Sequence, residues 1–182
     1  MSQHQNLSEL IKHKKEAKKA LAKELHMSKK GPLAAIFLDK EPKKNEATLI
    51  KVVEGAAAIG VNVVVLTDQD HKNVMPKNAK WLEYSRANRK KLLEAADIAL
   101  GFSFNDIEEM LLHGTIPVSL KRPEILDYNP TKESGNAFIY KKNDQWDAFA
   151  AIVRAAETFK FPYDWKHIVR QGIESVGKTN LA

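Results

Sequence analysis

The chain has 182 residues, enough for one domain with a real core, and its 43% hydrophobic and 29% charged residues are an ordinary globular balance. It contains no cysteine, which removes disulfides, thiolate metal sites and thiol catalysis, and no apolar run approaches the roughly 20 residues that span a bilayer. The net charge of +6 is localised: residues 1–30 hold eight lysines against three glutamates, leaving +1 for the other 152 residues, so a broad nucleic-acid footprint on the domain is not expected.

In chain order, MSQHQNLSELIKHKKEAKK lacks the apolar stretch of a secretory signal, and a cytoplasmic location is the expectation. Residues 7–25 read as a helix, with Asn6 and Glu9 as a capping box and Leu7, Leu10, Ile11, Ala17, Leu21 and Leu25 as an apolar stripe. Lys12, Lys14, Lys15, Lys18, Lys19 and Lys23 spread around that helix, the pattern of a solvated surface. LAAIFL, 33–38, is the continuous apolar run of a buried parallel strand. A helix over 46–59 follows, ended by Gly60. NVVVLT, 62–67, reads as the second strand and KWLEY, 80–84, as a short third.

Residues 86–96 read as a helix and DIALGF, 97–102, as a strand. Asn105 or Asp106 starts a short helix ending at Gly114. IPVSL, 116–120, is the next strand; a long loop over 121–136 leads to AFIY, 137–140. Asp144 caps a helix over 145–160, and 162–173 form the last one. This alternation predicts an α/β fold with a doubly wound parallel sheet, in one domain with appended N- and C-terminal helices. The expected division is 1–31 as a basic helical segment, 32–174 as the domain and 175–182 as a tail.

Ligands of open α/β sheets sit beyond the carboxyl ends of the strands. That rule selects Asp39, Lys40, Glu41, Lys43 and Lys44 after the first strand, Thr67 and Asp68 after the second, Ser103, Phe104 and Asn105 after the strand at 97–102, and Lys121, Arg122 and Glu124 after IPVSL. Lys44, Lys121, Arg122, Ser103 and Asn105 are the candidate phosphate-binding residues; solvated loop side chains are the plainer reading. No GxGxxG or Walker A loop occurs, and DKEPKKN contains no glycine to let backbone approach a pyrophosphate. Glu108 and Glu109 are adjacent and read as first-turn acids, and His113 stands at a helix end that favours a cation. Trp81, Trp146 and Trp165 read as packing residues. No metal-ligand spacing and no cofactor are apparent.

The segments KKEAKKALAKELHM, GPLAAIFLDKEPKKN, AADIALGF, LLHGTIPVSL and AFIYKKNDQWDAFAAIVRAAETFKFPYDWKHIVRQGI, taken together over residues 14–173, resemble the C-terminal, nucleotide-sugar-binding half of glycogen and starch synthases. These are retaining glycosyltransferases of the GT-B type, and the resemblance implies a Rossmann-like domain. It also marks departures. Asp39 stands where the family has a diphosphate-binding arginine, and Lys44 keeps the lysine's place while Asn45 replaces the following glycine. GFSFNDIEEM is shorter than the family's acidic loop and lacks its Glu–Pro–x–Gly core. Arg122–Pro123–Glu124–Ile125 takes the place of Gly–Gly–Leu, whose amides face phosphate; Pro123 brings no amide hydrogen and Glu124 repels an anion.

No acceptor half, the one that completes the family's cleft, is expected ahead of this segment. The resulting expectation is a catalytically inactive glycosyltransferase-like module that binds a protein partner, itself, or a nucleotide or nucleotide sugar. The alternative is an active transferase, or half of one completed by a partner chain. A receiver-like domain is a weaker reading, since Asp68 follows the wrong strand for a phospho-acceptor. A further reading is nucleic-acid or membrane-surface binding through the lysine-rich helix, against which the spread of its lysines favours a solvated surface.

Overall fold

The structure is a computed structural model and describes residues 3–38, 43–67, 76–102 and 106–179. The chain runs α1 (Gln3–Glu24), β1 (Leu33–Phe37), α2 (Lys43–Ala58), β2 (Asn62–Thr67), β3 (Lys80–Glu83), α3 (Arg86–Ala95) and β4 (Ile98–Leu100). It continues through α4 (Ile107–Leu112), β5 (Ile116–Leu120), β6 (Phe138–Tyr140), α5 (Gln145–Phe159) and α6 (Pro162–Thr179). Among the described residues the strands form one six-stranded sheet in the order β3-β2-β1-β4-β5-β6, every pair parallel. This is the doubly wound arrangement that the alternation predicts, and its order reverses between β1 and β4.

The apolar runs become strands covered on both faces because neither face has polar side chains to offer water. Alternate residues of β1 serve opposite layers. Ala34 and Ile36 pack with Leu49 and Val53 of α2 and Ile152 of α5, whereas Ala35 and Phe37 pack with Leu93 of α3 and Met110 of α4. Full burial of each such large side chain contributes roughly 1.5–3 kcal/mol. On the first layer the Phe149 ring of α5 lies directly on Gly55 of α2, where a Cβ would stand 2.8 Å from the ring.

Local chemistry sets the ends of several elements. The Asp144 carboxylate accepts from the amides of Trp146 and Asp147 and so starts α5, as expected of an N-cap. Gly60, at φ +83°, ends the turn after α2, where the amide of Val61 reaches back to the Ala56 carbonyl. Two helix ends differ from the sequence reading. α1 is already helical at Gln3, so Asn6 lies inside its first turns and is not its cap, because no breaker precedes Leu7. α6 runs on to Thr179 instead of stopping at 173, and Gly172 inside it lies against Leu111 of α4.

Between β5 and β6 the crossover contains no helix. It is held instead by Asn136, whose side chain accepts from the Leu126 amide at 2.8 Å and donates to the Glu124 carbonyl at 3.2 Å and to Ser175 Oγ of α6 at 2.9 Å.

The lysines of α1 overturn the solvated-surface reading in part. Lys14 is 7% exposed, and its ammonium donates to the carbonyls of Leu93 (3.1 Å) and Glu94 (3.5 Å) at the end of α3 and to Thr115 Oγ1 (2.9 Å). These are carbonyls that a helix end leaves without intrahelical partners. Lys18 pairs with Asp97, whose carboxylate also accepts from the Leu33 amide at 2.8 Å. Trp146 corrects another expectation: it is 72% exposed, while Trp165 does pack, stacked on Phe138 at 6.3 Å and edge-on to Phe159 at 5.1 Å.

Candidate functional site

The carboxyl ends of the strands form one edge of the sheet, and the fold brings three of the five candidate phosphate-binding residues to it. Lys44 lies in the first turn of α2, beyond β1; its side chain is outside what the structure describes. Lys121, exposed, and Arg122, half-buried, follow β5. β4 separates β1 from β5, so the two exits stand about 10 Å apart. Ser103 and Asn105 fall outside the described residues, as do Asp39, Lys40, Glu41, Asp68 and Phe104.

The backbone after β5 decides what Lys121 and Arg122 have beside them. Pro123 has no amide hydrogen. The Ile125 amide turns inward to the Arg122 carbonyl at 3.4 Å, and the Leu126 amide is taken by Asn136. Ile125 itself is buried in the layer that holds Leu93 and Val176. Glu124 is exposed on the same turn. This stretch therefore presents an anionic side chain, with its amides at 125 and 126 already used, where an anion-binding turn presents free N–H groups.

Beyond β4, the hydroxyl of Tyr140, at the end of β6, donates to the Gly101 carbonyl at 2.7 Å. Its ring meets Phe102 edge-on at 5.4 Å, and both are 3% exposed, so this aromatic pair spans the exits of β4 to β6. Such a pair contributes roughly 0.5–1.5 kcal/mol beyond its buried area. Beside α2, the Asn143 amide donates to Asn45 Oδ1 at 3.2 Å and ties the β6–α5 turn to the start of α2. At the end of β2 the Thr67 hydroxyl is buried and has no hydrogen-bond partner among the described residues.

On the α3–α4 side stands a residue the sequence reading missed. Arg89 lies over the Phe37 ring at 5.8 Å, at the end of β1, and binds both Asp106 and Glu109, the latter at 2.8 Å. The hydrogen bond from Arg89 holds the Glu109 carboxyl below the usual carboxylate range, and the same bond raises the guanidinium. One cation against two carboxylates leaves this corner of the strand-order reversal negative. Arg89 belongs to no motif; only the packing of α3 on α4 gives it its partners.

His113 also departs from expectation. Burial pushes its imidazole below the ordinary value, and the nearby Lys14 ammonium adds to that, so the cation favoured by a helix end is suppressed. Among the described residues no group of three or more His, Asp or Glu side chains is placed to hold a metal ion, and no helix is long and apolar enough to cross a membrane.

No family model matches the chain. Over 67 residues it is 28% identical to glycogen synthase 1 of Synechocystis sp., a stretch covering 35% of this chain and 14% of that enzyme. The catalytic domain of starch synthase IV from Arabidopsis thaliana, bound to ADP and acarbose, shares its fold at a TM-score of 0.75 and 18% identity, covering 92% of this chain and 41% of that one. HepE of Anabaena, in complex with UDP-glucose, does so at 0.63 and 14% identity, covering 90% and 48%. The chain thus spans less than half of either solved chain and about a seventh of the curated relative. By the order of its segments, its match to a glycogen synthase and its fold, this chain is similar to the C-terminal half of glycogen and starch synthases, a Rossmann-like domain of GT-B glycosyltransferases.

Proposed function

We propose that this chain is a glycosyltransferase-like binding domain in which the groups that grip a nucleotide-sugar diphosphate have been dismantled, and sugar transfer with them. The observation that carries this reading is the turn after β5. Pro123 offers no N–H, the amides of Ile125 and Leu126 are engaged inside the protein, and the Glu124 carboxylate is exposed beside them. A diphosphate is stabilised by several free amides and cations acting together. Here Lys121 and Arg122 remain without the amides of Ile125 and Leu126, and the Arg89, Asp106 and Glu109 corner adds negative charge. The binding unit of this reading is residues 32–174, and its partner is a protein or a second copy of the chain.

Thermal shift and titration calorimetry with ADP, UDP and UDP-glucose test the reading. A ligand at about 100 times its Kd adds about 2.7 kcal/mol to stability, a shift that is easily measured. The expected result is no shift and no heat. Saturable binding of any of the three, abolished by Lys44→Ala or Arg122→Ala, refutes it. It would favour the second reading, a nucleotide-sugar-dependent transferase, which Lys44, Lys121 and Arg122 on one sheet edge support.

A further inference from the structure

The burial of Lys14 and Lys18 changes the geometry of the cations that α1 leaves outside. Taken as six, the lysines at 12, 14, 15, 18, 19 and 23 encircle the helix. Two of them are turned inward, onto the end of α3 and onto Asp97. The four that remain exposed are Lys12, Lys15, Lys19 and Lys23. At about 100° per residue they fall within an arc of about 80°, and at 1.5 Å per residue they form a row about 16 Å long. Among the described residues none of the four takes part in an ion pair.

Two further features define what such a row can receive. Every exposed position of α1 from Ser8 to Glu24 is polar, charged or alanine, so nothing on this face can enter a bilayer. The acids sit to one side: Glu9 and Glu16 flank the row, and Glu24 beyond them is paired with Lys91 at 2.9 Å. A flat anionic surface laid on α1 meets these acids together with the lysines, whereas a narrow chain of phosphates running along the row meets lysines alone. Just past the helix the positive character continues in a cavity of about 460 Å³ lined by His26, Lys30, Lys80, Asn62 and Asn78, with no carboxylate among its lining residues.

We propose that this face of α1 binds the phosphate backbone of a nucleic acid without regard to sequence. No exposed aromatic on the row offers a base a stacking surface, so the contact is to phosphates alone. The proposal is independent of the reading of the sheet edge, since it uses neither that edge nor any residue there.

Fluorescence anisotropy with a labelled DNA duplex of about 20 base pairs tests it. Four phosphate contacts give a slope of log K against log salt of about −3 to −4. Replacing the four lysines together by glutamine is expected to weaken binding by at least about tenfold and to flatten that slope. Lys141→Gln with Lys142→Gln removes two exposed cations off the row and is expected to leave most of the affinity. Circular dichroism and the melting temperature of each variant confirm that α1 stays docked. The proposal is overturned by absence of duplex binding at about 50 mM salt, by equal losses in the two variants, or by tighter association with phosphatidylserine vesicles than with the duplex.

Discussion

Lys14 allows a quantitative test, because its ammonium sits inside the protein. Burial lowers its pKa from 10.5 to about 8; Asp97 and Glu94 oppose the drop, and Lys18 reinforces it. A proton bound less tightly in the folded state is held preferentially by the unfolded chain between those two values. The unfolded state therefore carries more protons there, and stability rises with pH across that window. At about 1.36 kcal/mol per pKa unit the full effect is about 3 kcal/mol, most of it expressed between about pH 8 and pH 10.5. Lys14→Met keeps the length of the side chain and removes the titration. Urea denaturation of both proteins across that range should give stabilities whose difference changes by about 2 to 3 kcal/mol in favour of the lysine protein as the pH rises. Subtracting one curve from the other cancels the surface groups that titrate in both. Parallel curves, differing by a constant within about 0.5 kcal/mol, would show that Lys14 titrates as an ordinary surface lysine and that the clamp on α3 is wrong.

His113, displaced downward by burial and by Lys14, should titrate below the ordinary imidazole range in a carbon-bound proton NMR experiment. With its folded value depressed, the unfolded chain takes up the proton first on acidification, so the stability tied to neutral His113 is present above about pH 6.5 and lost as the pH falls below it. In Lys14→Met the imidazole should titrate closer to its ordinary value, since a cation beside it has gone. Gly55→Ala forces a Cβ to within 2.8 Å of the Phe149 ring, and is expected to cost about 1 to 3 kcal/mol in urea unfolding despite alanine's better helix propensity. Adding Phe149→Leu should recover part of that loss.

Where a segment's own chemistry dictates its form, the sequence was legible. NVVVLT and IPVSL are strands at the expected residues, because each is a short apolar run bounded by residues that cannot continue it. Asp144 is the N-cap that its position ahead of QWDAF implies. What stayed hidden depends on residues far apart in the chain. Nothing in KKEAKK tells Lys14 from Lys15; only the approach of Leu93 and Thr115 makes one interior and the other exposed. Arg89 and its two carboxylates come together only when α3 packs beside α4. Trp146 looks like core by composition and is solvent-facing, because it occupies the first turn of α5 while Phe149, one turn on, takes the contact with α2. At the sheet edge, the placement of Lys121 and Arg122 followed from the strand order, whereas the use of the Ile125 and Leu126 amides by their neighbours did not.

The polar anchors of α1 also set an order of events. The partners of Lys14 lie 79 to 101 residues downstream, and Asp97, the ion-pair partner of Lys18, lies 79 downstream. Closing so long a loop carries an entropic penalty before any contact rewards it, so α1 is among the last of these elements to find its place. Until Leu93 has left the ribosome, a nascent chain has none of these partners for Lys14 and lacks Asp97 for Lys18. A growing chain halted before Leu93 should therefore show a protease-sensitive α1, and one halted after β5 a protected one.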